Sequence, residues 1–181
     1  NILVKKDEHT GQIVSLIPID HGYALPHTLE DVCFEWEFWP QAKQPFSEST
    51  KDYIETLDAE EDIEYLRDND IELRPSSERV LKVSTMLLQR AAKMDIPPAD
   101  IAAIMSRSIP TRMSDAEKLV AKAASTAICA CRSERGELVH KSPSNGSFWN
   151  DLDEEGKNAE SIFMREFERG LDVYLMERKR E

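Results

Sequence analysis

Basic residues are scarce in this sequence: 23 Lys and Arg stand against 35 Asp and Glu, a formal net charge of −12. A chain with that balance has no overall positive field for nucleic acid, and any contact with an anionic membrane must be local. No apolar run reaches the roughly 18 residues that a membrane-spanning helix needs. Six Gly and nine Pro are too few for a fibrous or low-complexity chain. The three cysteines, Cys33, Cys129 and Cys131, form no paired framework. Free thiols fit a reducing compartment, so the expected location is the cytoplasm, with peripheral membrane contact left open. There is no leader pattern, and the chain opens on Asn1-Ile2-Leu3-Val4 without an initiator Met. It is therefore expected to begin inside a larger protein.

What is present reads as globular protein: 40% hydrophobic and 32% charged residues over 181 positions, enough for one core. Ile2 to Val4 and Ile13 to Ile19 are short apolar runs joined through Asp7-Glu8-His9-Thr10-Gly11, the pattern of a β-hairpin. Downstream of Ser47 the periodicity turns helical. Asp58 and Ser114 open candidate capping boxes, and Pro75 and Pro97-Pro98 mark two further helix starts. Apolar stripes follow at Val80, Val83, Leu87, Leu88 and Ala91, at Ile101, Ile104 and Met105, and at Val120, Ala123, Ala124, Ala127 and Cys131. Periodicity fades over 133–152, which reads as a linker. A last helix is expected over 153–181, with Phe163, Phe167, Leu171 and Tyr174 as its stripe. The expected fold is mainly α, a short N-terminal hairpin feeding a helical body.

One turn stands out chemically. Asp20-His21-Gly22 closes the second apolar run, where a strand can fix a carboxylate and Gly can let the chain turn away. Such a carboxylate suits a divalent metal that neutralises phosphate charge during phosphoryl transfer; in protein kinases an Asp-x-Gly at the end of a hairpin does this and the Asn just before the hairpin holds the second metal, an order that Asn1 and Asp20 resemble. The other reading is a plain surface turn. His9, His21, His27 and His140 lack zinc spacing, and His21 reads as an ordinary turn residue.

Longer stretches separate these readings. Asn1-Ile2-Leu3-Val4, the run Leu16-Ile17-Pro18-Ile19-Asp20-His21-Gly22-Tyr23-Ala24-Leu25-Pro26, and Phe34-Glu35-Trp36-Glu37-Phe38-Trp39-Pro40-Gln41-Ala42-Lys43-Gln44-Pro45-Phe46-Ser47 resemble the phosphatidylinositol 3- and 4-kinase family. The similarity is greatest to its type II and plant gamma-type 4-kinases. Tyr53 to Ile63 and Ser84-Thr85-Met86-Leu87-Leu88 extend it, to about residue 108. The resemblance implies that residues 1–132 are the C-terminal lobe of a protein-kinase-like catalytic domain. It makes Asp20 the catalytic metal-binding aspartate, Asn1 its partner on the metal, and Ile19 a nucleotide contact beside Asp20. The implied cofactors are ATP and Mg2+ (or Mn2+), and the implied reaction is transfer of the γ-phosphate to the 4-hydroxyl of phosphatidylinositol in a membrane. A protein kinase of the same fold, or a non-catalytic docking module, is the alternative.

The family's catalytic aspartate and ATP-binding lysine belong upstream of Asn1, so the missing N-terminal lobe is an expected partner and the chain alone is expected to be inactive. The segment between Tyr23 and Phe46 takes the place of the activation loop. There Trp36, Trp39 and Lys43 are candidate substrate or membrane contacts, although the rings could instead pin the loop to the body. With Lys43 its sole cation, the segment suits phosphatidylinositol better than its phosphorylated forms. The acidic run from Glu60 to Asp70 reads as a solvated helix face.

Overall fold

The computed structural model describes residues 2–22, 24–29, 32–136 and 148–180. Strands β1 (Ile2–Lys6) and β2 (Ile13–Pro18) pair antiparallel, with Leu3 opposite Ile17 and Val4 opposite Leu16. Asp7 organises the connecting turn. Its Oδ1 accepts from the amides of His9 at 3.0 Å and Thr10 at 2.7 Å, and Gly11 closes the turn at φ +68°. Successive strand residues face opposite sides, yet the apolar side chains of both sides are exposed: Ile2 and Leu3 each by 53%, Leu16 by 60% and Ile17 by 43%. A lone two-stranded hairpin is marginal in water, and this one carries apolar surface fit for a further layer.

The body contains, among the described residues, α1 (Glu48–Glu55), α2 (Ala59–Asp68), α3 (Pro75–Lys93), α4 (Pro98–Met105), α5 (Asp115–Glu134), α6 (Phe148–Glu155) and α7 (Lys157–Arg178). Most helix starts are those the sequence marks. Asp58 Oδ1 accepts from the amides of Glu60 at 2.8 Å and Glu61 at 3.2 Å. At Ser114 the box is reciprocal: its Oγ accepts from the Glu117 amide at 3.1 Å, and Glu117 Oε2 accepts from the Ser114 amide at 2.7 Å. α3 and α4 begin on prolines, whose missing N–H has no helical partner to lose there.

One core joins the helices. α3 contributes Val80, Val83, Leu87 and Ala91, α4 contributes Ile101 and Ile104, and α5 contributes Val120, Ala124, Ala127 and Ile128. α5 packs along α7, which buries Ala159, Phe163, Phe167, Leu171 and Leu175, four residues apart throughout. Tyr174, expected in that stripe, is half-buried at its edge and donates its hydroxyl to Asp115 Oδ2 at 2.7 Å.

The segment expected as a linker over 133–152 differs at both ends. α5 runs on to Glu134, and α6 starts at Phe148, placing Trp149 (4% exposed) and Leu152 (0%) in the core. Gly156, at φ +76°, separates α6 from α7. It divides the apolar pattern so that the first piece, one or two turns long, shows no readable period. Residues 137–147, His140 among them, lie outside the described residues. Met86, Met94 and Met105 pack against the core as expected, and Cys131 is buried within it.

Candidate functional site

β2 ends at Pro18 and delivers Ile19 (39% exposed) and an exposed Asp20 to the turn. Asp20 adopts φ +60°. Positive φ is uncommon outside glycine, although Asp tolerates it better than most residues. Such strained positions concentrate where function fixes a side chain, at about 1–3 kcal/mol each. The sharp turn expected of Gly22 thus belongs to Asp20. At Gly22 neither space nor a positive φ demands glycine, since a Cβ there would meet only Asp20 Oδ1 at 3.6 Å, an ordinary contact. The chain then closes through the Ala24 amide, which donates to the His21 carbonyl at 2.8 Å, and Leu25 is also left-handed at φ +56°.

Asn1 lies outside the described residues. Among the described residues no three His, Cys, Asp or Glu side chains gather as a metal cluster. His21 is an exposed turn residue.

The aromatic segment forms two short 3-10 turns, Glu35–Phe38 and Pro40–Lys43. Both lie against α4. Ser106 Oγ donates to the Val32 carbonyl at 3.1 Å, Ala42 is buried, and Leu29 and Phe46 pack against the core. So the loop is pinned, but by its small and flanking residues. Its large rings face outward: Phe38 is 70% exposed, Trp39 53% and Trp36 37%, the last leaning on Phe34 at a centroid distance of 5.0 Å. The reading in which these rings pin the loop to the body is not met, because none of the three is buried. Lys43 is exposed at the end of the second turn.

A hollow of about 420 Å³ opens beside the Asp20 turn, lined by Gly22, Leu25, His27, Arg74 and Ser77 among others. Arg74 and Ser77 sit at the start of α3, and no local motif marks them, because only the tertiary fold brings them to Gly22. A larger groove of about 790 Å³ lies between α1, α2 and α3. Gln89 braces its wall, donating to the carbonyls of Ile54 at 3.2 Å and Leu57 at 2.7 Å. Cys131 is not poised for chemistry: burial, with Glu155 and Glu134 nearby, pushes its thiol above the ordinary range.

Comparison with known sequences agrees with the motif. A family model described as "Phosphatidylinositol 3- and 4-kinase" matches residues 1–101. The chain is 48% identical over 120 residues to phosphatidylinositol 4-kinase gamma 3 of Arabidopsis thaliana, covering 66% of this chain and 21% of that protein. It is 42% identical over 130 residues to phosphatidylinositol 4-kinase gamma 4 of Oryza sativa subsp. japonica, covering 67% and 23%. The matched part thus amounts to about a fifth of the length of these curated relatives. No solved structure matches the chain.

Proposed function

Because the chain belongs to the phosphatidylinositol 3- and 4-kinase family, we propose that it supplies the metal-binding half of a site that transfers the γ-phosphate of ATP to the 4-hydroxyl of phosphatidylinositol. The observation that carries this reading is Asp20, an exposed carboxylate held at φ +60° at the end of β2. A carboxylate fixed by a strand needs little reorganisation to meet a cation, and its strained backbone suits a side chain held in one place for a purpose.

In this reading Asp20 and Asn1 hold Mg2+ (or Mn2+), which when bound would neutralise charge on the ATP phosphates. Ile19, adjoining Asp20 and partly exposed, offers apolar surface to the nucleotide. Trp36, Trp39 and Lys43 face the substrate-bearing membrane. The sparse positive charge of that segment favours phosphatidylinositol, whose headgroup bears one diester phosphate, over polyphosphorylated lipids.

The catalytic base belongs to the catalytic loop just before Asn1 and the ATP-binding lysine to an N-terminal lobe further upstream, and the exposed apolar faces of the β1–β2 hairpin suit contact with that lobe. Relatives several times longer than the matched region leave room for it. The test is phosphate transfer by the protein carrying both lobes, with labelled ATP and vesicles containing phosphatidylinositol. Label in phosphatidylinositol 4-phosphate is the expected product. Label in protein alone would overturn the lipid reading.

A further inference from the structure

The two 3-10 turns hold an unusual surface. Phe38, Trp39 and Trp36 present three large rings to solvent within four positions, at 70%, 53% and 37% exposure. Clustered exposed apolar groups mark contact sites more often than they occur by chance. The rings do not lie on a loose loop. The backbone beneath them is docked on α4, tied by the Ser106–Val32 hydrogen bond and seated through buried Ala42. Presenting the rings outward therefore requires little further ordering on binding.

The shape and chemistry select the occupant. Trp and Phe on a short protruding turn suit the headgroup zone of a bilayer, where an amphipathic indole gains on both its apolar and its polar side. The charge of the turns is wrong for the usual electrostatic recruitment. Glu35 and Glu37 face a single cation, Lys43, within a chain of net charge −12. Juxtamembrane recruitment by anionic lipid draws on clusters of Lys and Arg, and none is present in this segment.

We propose that the Trp36–Phe38–Trp39 tip is a membrane anchor that works by aromatic insertion into a lipid surface, against rather than with the surface charge. This rests on the reading above that the segment faces the substrate-bearing membrane. It adds that Phe38 leads the contact, that Lys43 is dispensable for it, and that salt acts with the opposite sign to polybasic anchors. Screening shortens from about 30 Å at 0.01 M to about 3 Å at 1 M ionic strength. Repulsion between the acidic chain and an anionic bilayer should fade accordingly.

The third tryptophan makes the test self-controlled, because Trp149 is 4% exposed and lies in the core. The 181-residue chain is mixed with phosphatidylcholine vesicles containing neither phosphatidylinositol nor ATP, so the readout is independent of catalysis. Brominated phosphatidylcholine should quench the Trp36 and Trp39 emission and spare that of Trp149. Binding to these neutral vesicles should change little with added NaCl. Binding to vesicles containing phosphatidylserine should be weaker at low salt and recover by about threefold or more as salt rises past the range where the Debye length falls below 10 Å. The double variant Phe38→Ser, Trp39→Ser should lose about tenfold in binding, and Lys43→Ala should lose little, as expected for area-driven rather than charge-driven insertion.

Absence of vesicle binding would overturn the proposal, as would binding without quenching, which would assign the contact to the exposed hairpin, which has no tryptophan. Binding that strengthens with phosphatidylserine and weakens with salt would also overturn it. Lipid insertion by a protein inactive toward phosphatidylinositol would leave this inference standing and remove the kinase reading; the reverse outcome would do the opposite.

Discussion

Arg79 of α3 donates from Nε to Glu160 Oε2 of α7 at 2.5 Å, joining residues 81 positions apart in the chain. Its Nη2 lies 2.6 Å from Asp153 Oδ1 on α6, and the guanidinium sits 5.9 Å from the centre of the Trp149 ring. Arg79 lies inside the region that matches the kinase family; Asp153 and Glu160 lie beyond residue 101, where that match ends. A second tie repeats the pattern, from Arg90 to Glu168. The C-terminal helices are thus held to α3 by charge as well as by packing.

Removing Arg79 should therefore loosen α6 and α7. Its side chain is only 6% exposed, whereas Asp153 and Glu160 are 40% and 27% exposed and can regain water. Arg79→Ala should then lower stability by about 2 kcal/mol, less than the 3–5 kcal/mol typical when a fully buried charge is orphaned. Arg79→Met, which keeps the aliphatic stem, should lose less. Urea unfolding followed by Trp149 fluorescence measures both.

Truncation after Gly136 asks the same question on a larger scale. It removes Trp149, Leu152, Phe163, Phe167, Leu171 and Leu175 from the shared core and leaves the apolar faces of α3 and α5 in water. The shortened chain should not fold cooperatively. A single-site counterpart, Phe163→Ala at a fully buried position, should cost about 3–5 kcal/mol. A shortened chain that melts like the intact one would show that 148–180 is dispensable to the fold.

The Ser114–Glu117 box offers a finer probe. Ser114→Ala should cost about 1 kcal/mol, because the Glu117 amide loses its partner at the start of a 20-residue helix. Ser114→Thr should restore most of it. Thermal melts by circular dichroism read both variants.

Acid should act on three carboxylates of this half. The hydrogen bond from Lys118, then that from Tyr174, hold Asp115 below the ordinary carboxylate range. Burial works to raise Glu117, but Arg107 and the Ser114 amide outweigh it and leave it lowered. Arg135 holds Glu155 low against the effect of burial, with help from Arg132. Groups depressed in the folded state contribute fully above the unfolded values, about 4 for Asp and Glu. That contribution is lost as pH falls through the lower folded values. The melting temperature should thus hold from neutral pH to about 5 and fall steeply below 4. Replacing Glu155 with Gln should flatten that fall.

Helix starts and stripes were legible because their signals are local. A Ser followed three residues later by Glu, a proline before an apolar period, and Val80 to Ala91 at helical spacing each carry their own evidence. The hairpin was legible for the same reason, down to the turn at Asp7. α6 was not: Trp149 and Leu152 lie on a helix of eight residues, cut off from α7 by Gly156. Nor could the sequence say that the rings of Trp39 and Phe38 face out while Ala42 faces in, because α4 decides that by docking the loop. At the site, Asp20 was legible as a motif, whereas its φ of +60° and the hollow that Arg74 and Ser77 line together with Gly22 arise only in the folded chain.

In the proposed reading Asp20 is a metal ligand of a lipid-phosphorylating site rather than a turn residue. The most direct measurement is the rate of 4-phosphate formation on phosphatidylinositol by the protein carrying both lobes, compared between the parent and Asp20→Asn at matched folding. The amide is isosteric and the site exposed, so melting temperatures should agree, while the rate should fall by a factor of about 10²–10³, the scale of losing an electrostatic stabiliser of the transition state. Full activity in Asp20→Asn would contradict the assignment and return the motif to a surface turn.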